Sequence, residues 1–290
     1  MDAMDAMDEM DAMEVIDQIE LSDQQKEIRK EILQYSYAHD LGHIPSAFSC
    51  VDYLQSVFLH VHEQDYILIG KPFGAQALYI VWKRKGWLRD IDSLSLGVKH
   101  DEIPFVHYSE ETIGNALGVA GGVALSIRMD SKDAKGSVSP DSSVSPETSR
   151  GVPPKDQPCS RRVYVNISDA AFQMGNTLEA IQFIAHHQLR VFCTVDYNNA
   201  QVLGTCKDIL NVEPVIAFAK LCGWEVMVVQ GHNKQHLDQA MAQAYACLKP
   251  CMVICCTVKG AGINSFMDIK TWHYRKLDEK SFTQFITELS

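Results

Sequence analysis

Residues 162–198, RVYVNISDAAFQMGNTLEAIQFIAHHQLRVFCTVDYN, read as strand, helix, strand. Val163–Ile167 and Val191–Val195 are short, nearly continuous apolar runs, as strands buried on both faces require, and Asn176–His187 has the length and spacing of a crossover helix. Two such strands joined by a helix pair in parallel. The rhythm continues downstream with helix Val212–Leu221, strand Glu225–Val229, helix Lys234–Cys247 and strand Met252–Cys256. Upstream, Ser22 is placed to cap a helix over Asp23–Ala38, with Ile28, Ile32 and Leu33 on one face. A helix follows Pro45 and carries Phe48, Leu54, Val57 and Phe58. Strand Tyr66–Ile69, helix Gln76–Lys85 and a glycine-dotted helix Gly114–Met129 complete the series. The expected fold is α/β, a parallel sheet covered by helices on both faces.

Composition fits that reading and excludes several function classes. The 290 residues are 46% apolar and 22% charged, ordinary for a globular chain with a real core. No apolar run is long enough to span a membrane. The formal charge is −11, but six acids within residues 1–14 account for much of it, and no basic stripe offers itself to nucleic acid. The nine cysteines lack a zinc-type CxxC pair and sit mostly in apolar runs, so free, buried thiols and a reducing cytoplasm are expected. The first residues show no basic-then-apolar pattern, so no secretory signal is expected. Residues 1–20 read as an acidic, solvated tail. A stretch at about 131–161 holds five of the ten prolines and reads as a flexible insertion within one domain over 21–290.

Ligands of parallel α/β sheets bind beyond the carboxyl ends of the strands. Asp169 closes one strand and Asn198, 29 residues later, closes the next. A carboxylate and an amide oxygen facing one crevice suit a hard cation such as magnesium, shared with a phosphate. The competing reading makes Asp169 a helix cap and Asn198 a turn residue. A dinucleotide fingerprint is discounted, because Ser265 stands where Lys259-Gly260-Ala261-Gly262 would need its third glycine. The glycines at 114, 118, 121 and 122 read as helix-packing residues.

The stretch from Ser168 to Gly204, SDAAFQMGNTLEAIQFIAHHQLRVFCTVDYNNAQVLG, resembles the thiamine diphosphate motif of transketolases. LGHIPSAFSC near residue 45, DYILIGKPFGAQALY at 65–79, GNALGVAGGVAL at 114–125, KPCMVICCTVKGAGINSF at 249–266 and the Trp272-His273 pair resemble further family segments in the same order. The resemblance covers about residues 20–290 apart from the insertion. It implies the pyrophosphate-binding domain, with thiamine diphosphate and Mg2+ as cofactors. Asp169, Asn198 and the carbonyl of Ala200 would hold the metal; Ala170, Ile113, Glu111 and His273 would lie along the cofactor. His43, His100 and His273 match family histidines near the reacting centre, where neutral imidazoles can exchange protons and stabilise a developing alkoxide.

The pyrimidine-binding and C-terminal domains of transketolases have no counterpart in these residues, so the resemblance implies the N-terminal subunit of a split enzyme. The expected partner is a separate subunit carrying those domains, within an α2β2 complex. Ser168 and Ala170 depart from two family glycines, Phe73 from a diphosphate-contacting histidine, Met174 from a glutamate, Glu111 from a glycine and Leu203 from an acid. The first functional reading is transfer of a two-carbon ketol unit from a ketose phosphate, with a lipoyl or carrier-protein thiol as an unusual acceptor. The others are a scaffold subunit without activity and a thiamine enzyme of the 2-oxo acid dehydrogenase type.

Overall fold

The computed structural model describes residues 19–136, 161–267 and 269–290. The expected acidic tail and flexible insertion fall almost wholly outside them. In chain order the strands are β1 (Tyr66–Ile69), β2 (Val106–Ser109), β3 (Val163–Ser168), β4 (Val191–Tyr197), β5 (Ala200–Gln201), β6 (Gly204–Thr205), β7 (Glu225–Gln230) and β8 (Cys251–Cys256). Six of them form one parallel sheet in the order β2-β1-β3-β4-β8-β7, and β5 pairs with β6 in a small antiparallel hairpin. The helices are α1 (Asp23–Ala38), α2 (Ile44–Val57), α3 (Ala75–Arg84), α4 (Ala116–Gly136), α5 (Gly175–His186), α6 (Cys206–Ile209), α7 (Glu213–Cys222), α8 (Lys234–Ala246), α9 (Ile269–Trp272) and α10 (Glu279–Glu288).

Alternation along the central strands divides the core. Tyr164, Phe192, Val253 and Cys255 point into a cluster with α1, α2, α3, α8 and α10. Val165, Cys193, Val195 and Ile254 point into a second cluster with α4, α5 and α7. Burial on both faces is why these strands read as continuous apolar runs rather than alternating ones. The eight described cysteines are free and six are buried. No described helix is long and apolar enough to cross a membrane.

Three details differ from the expectations. Helix α4 continues to Gly136, seven residues past Met129. Strand β2 is an addition to the expected series; it is a four-residue edge strand, too short for a periodic pattern. Gly114 does not lie on a helix but in the turn before α4, with φ +115° and the Met174 side chain packed where a Cβ would stand. Ser22, by contrast, forms with Gln25 the capping box that starts α1.

Candidate functional site

From β1 the chain passes to β2 on one side of the sheet, and from β3 it passes to β4 on the other. The crevice between β1 and β3 is therefore the topological switch point, where parallel sheets bind ligands. Four adjacent strand ends supply its polar residues: Lys71 after β1, Asp169 after β3, Asp196 and Asn198 at the end of β4, and Thr257 and Lys259 after β8.

Asp196 is fully buried and is compensated. Lys71 Nζ lies 2.5 Å from it, and it accepts hydrogen bonds from Ser49 Oγ at 2.7 Å, Thr257 Oγ1 at 2.6 Å and Asn198 Nδ2 at 2.9 Å. Burial opposes its ionisation, but Lys71 and these donors hold the carboxyl below its usual range.

Asp169 is also buried but has no cation at ion-pair distance among the described residues. Its Oδ1 accepts from the Ala170 N–H at 2.8 Å, and its Oδ2 from the N–H groups of Asn198 and Asn199 at 3.1 and 2.6 Å. Burial, with the charge of Asp196 nearby, raises its pKa to about 6 despite those bonds. The Cys206 thiol, pushed up to about 12 chiefly by burial, stays protonated and donates to this carboxylate. Asp169 is no cap for α5, which begins at Gly175 with Met174 before it and no side-chain cap. Asn198 does occupy a turn: its Oδ1 accepts from the Ala200 N–H at 2.9 Å, and Asn199 has φ +53°.

The oxygen set fits a hard cation. A buried carboxylate flanked by a second carboxylate and lacking a counter-charge is stabilised by a cation, and Asn198 and Ala200 bring amide and carbonyl oxygens to the neighbouring strand end. One carboxylate and two neutral oxygens leave ligand positions for the oxygens of a diphosphate.

A second cluster lies beside this one. Lys259 is buried, with Nζ 3.0 Å from His273 Nδ1, and burial together with Lys71 pulls its pKa down to about 8. His43 precedes α2 in the left-handed region, with φ +58°. Its ring stacks on Phe73 at 4.9 Å and meets the edges of His273 and Tyr274 at 5.2 and 5.0 Å. Burial and the two lysines lower both imidazoles to about 4, so each is neutral near pH 7. His43 Nδ1 is buried and finds no hydrogen-bond partner among the described residues. A left-handed residue with an orphaned ring nitrogen marks a group held ready for something other than the fold.

Of the other sequence candidates, Ala170 is buried in the turn beside Asp169, and Ile113 packs partly buried against the cluster that holds α4 and α5. His100 is an exposed turn residue without a described bond to the His43–His273 pair, and Glu111 is exposed. Its neighbour Glu110 is the structured acid: buried, it accepts from the N–H groups of Gly114, Asn115 and Ala116 at 3.0, 2.9 and 2.7 Å and so caps α4. Sequence reasoning passes over Lys71, Asp196 and Glu110, and weighs Lys259 only as part of a glycine motif. The strand-end rule that finds Asp169 also points to both lysines.

Residues 149–289 match the family model described as transketolase, thiamine diphosphate binding domain. One half of the apulose-4-phosphate transketolase of Phocaeicola vulgatus, itself a separate subunit, is 21% identical over 287 residues, covering 92% of each chain. The 6-deoxy-6-sulfo-D-fructose transketolase subunit SqwG of a Clostridium species is 24% identical, over 93% of this chain and 96% of that one. Human transketolase is 24% identical over 93% of this chain, which spans only 42% of its length. The crystal structure of the Campylobacter jejuni transketolase superposes with a TM-score of 0.71 at 17% identity, over 92% of this chain and 42% of that one.

Proposed function

We propose, from the premise that this is a transketolase-like chain carrying the family's thiamine diphosphate-binding domain, that it is the cofactor-holding subunit of a split transketolase. The observation that carries this is Asp169: a buried carboxylate without a counter-charge, at the switch point of the sheet, between two strand ends that supply further oxygens. Asp169, Asn198 and the Ala200 carbonyl would hold Mg2+, and Lys71 and Lys259 would balance the remaining charge of the diphosphate. Ala170, Ile113 and Glu111 line the approach along the cofactor. When bound, thiamine diphosphate supplies the carbon nucleophile that carries a two-carbon ketol unit.

This chain's own residues then orient substrate and handle protons. His43 and His273, both neutral, can accept a hydroxyl proton or hydrogen-bond a developing alkoxide. His100, on its exposed turn, would join them from the solvent side. The two relatives of this chain's size are named for apulose 4-phosphate and for 6-deoxy-6-sulfo-D-fructose, which supports a sugar-derived substrate. Neither name supports a lipoyl or carrier-protein thiol as acceptor. Both are named as subunits, which supports a separate partner carrying the pyrimidine-binding and C-terminal domains, two copies of each in the complex. The free, buried thiols suit a cytoplasmic enzyme.

An active role is favoured over a scaffold because a scaffold has no use for Asp169 without a counter-charge or for the orphaned nitrogen of His43. The test is co-expression with the partner, followed by an assay of two-carbon transfer from ketose phosphates. Transfer by the complex, and none by this chain alone, is expected. A stable complex that binds the cofactor and turns over no ketose would make the chain a scaffold.

A further inference from the structure

The loop bearing Lys259 is fastened from behind by a buried ionic cluster to which the cofactor reading gives no part. Arg29 of α1 is fully buried and grips the Asp52 carboxylate of α2 at 3.0 and 2.7 Å, while its Nε donates to the Ala261 carbonyl at 2.9 Å. Asp52 also lies 2.6 Å from His232 Nδ1, and His232 Nε2 lies 2.8 Å from the backbone nitrogen of Val258. A backbone N–H only donates, so Nε2 is the unprotonated nitrogen and the ring proton sits on Nδ1, toward Asp52. The imidazole is thus held neutral in one tautomer. Gln25 Nε2 steadies it by donating to the His232 carbonyl at 2.9 Å.

The same loop is fixed on its other side. Thr257 Oγ1 donates to Asp196 at 2.6 Å, and the Gly260 N–H donates to the Pro45 carbonyl at 3.0 Å. Gly260 has φ +83°, and a Cβ there would stand 2.4 Å from Phe266 Cβ, so the loop admits no larger residue at that point. Residues 257, 258, 260 and 261 are therefore each bound to an element other than their own, and Lys259 between them reaches toward His273. Apolar side chains of similar volume would join α1 to α2 as well as an ion pair does. They would not end a hydrogen bond on the backbone on either side of a lysine.

We propose that Arg29, Asp52 and His232 are positioning residues for Lys259: they fix the backbone of 258–261 so that the ammonium group meets the cofactor's diphosphate. This rests on the cofactor reading above. The test uses the full chain in complex with its partner, with two readouts. One is calorimetry of thiamine diphosphate with Mg2+; the other is backbone hydrogen exchange of residues 257–262 by mass spectrometry. His232→Leu removes the acceptor for Val258, whereas His232→Gln keeps an oxygen that can take its proton. Leu54→Ala, compared at equal thermal stability, is a core control remote from the loop.

His232→Leu is expected to weaken cofactor binding by about tenfold to a hundredfold and to speed exchange in the loop. His232→Gln recovers most of both, and Leu54→Ala changes neither. Should the leucine variant fail to fold, Asp52→Asn, which keeps the shape and frees the tautomer, carries the same comparison. Equal affinity and equal loop exchange in the His232 or Asp52 variant and the control, or no recovery with glutamine, overturns the proposal. A wild-type complex that binds no cofactor overturns the cofactor reading instead, while the exchange measurement still decides whether the cluster holds the loop.

Discussion

Lys259 is the residue whose charge state the site controls most directly. Burial and Lys71 bring its pKa down to about 8, within reach of ordinary assay conditions. A diphosphate stabilises the ammonium form, so affinity for thiamine diphosphate should be flat below about pH 8 and fall above it. Above that pH, binding must return a proton to the lysine. Calorimetry at about pH 8.5 in buffers of different ionisation enthalpy should show proton uptake, and at about pH 7 none. Lys259→Met should remove the pH dependence and weaken binding throughout. Constant affinity from about pH 7 to 9 in the wild type would show that this lysine does not serve the ligand. Asp169 is legible in the sequence because a lone acid closing an apolar strand stands out. Lys71 and Lys259 are not, because a lysine after a strand looks like solvated surface until the fold shows it buried against a carboxylate. Which acid of the Glu110–Glu111 pair is structural is equally hidden, since the choice depends on where the turn aims each side chain.

Helix α4 depends on an acid that lies ahead of its first residue, across a turn. Glu110 takes three N–H groups of the Gly114–Ala116 turn, donors that the start of a helix leaves unpaired. Burial raises the pKa of this carboxyl while the three donors pull the other way, so it is a costly group kept in place by the helix start. Glu110→Ala should destabilise the chain by about 1–2 kcal/mol, lowering the melting temperature, whereas Glu111→Ala, at an exposed position, should not. Equal melting temperatures for the two variants would contradict the capping role. The long elements are readable because their periods are long: α1 and its Ser22 cap lie where the spacing puts them, and so do the four central strands. Strand β2 and the turn at Asp169–Gln173 are not readable, because four or five residues carry no period and owe their conformation to neighbours.

Across the whole molecule, one apolar surface lies next to the proposed cofactor site. Val202, Leu203, Ile209 and Leu210 are 44%, 80%, 42% and 57% exposed, on the β5–β6 hairpin and the helix that follow Asn198–Ala200 directly. A patch of this kind continuous with a cofactor mouth fits the partner that would close it. Leu203→Asp should weaken the complex about tenfold or more, worth about 1.4 kcal/mol, without lowering the melting temperature of the isolated chain. An unchanged complex would place the partner elsewhere. The sheet order and its switch point follow from the strand–helix rhythm only as a class of fold, since no local pattern states which strands become neighbours. The measurement closest to the central claim is a calorimetric titration of thiamine diphosphate with Mg2+ into the complex, wild type against Asp169→Ala. The account predicts saturable binding in the wild type and none in the variant, because the cation that neutralises the diphosphate loses its charged ligand. Unchanged affinity in Asp169→Ala would contradict it.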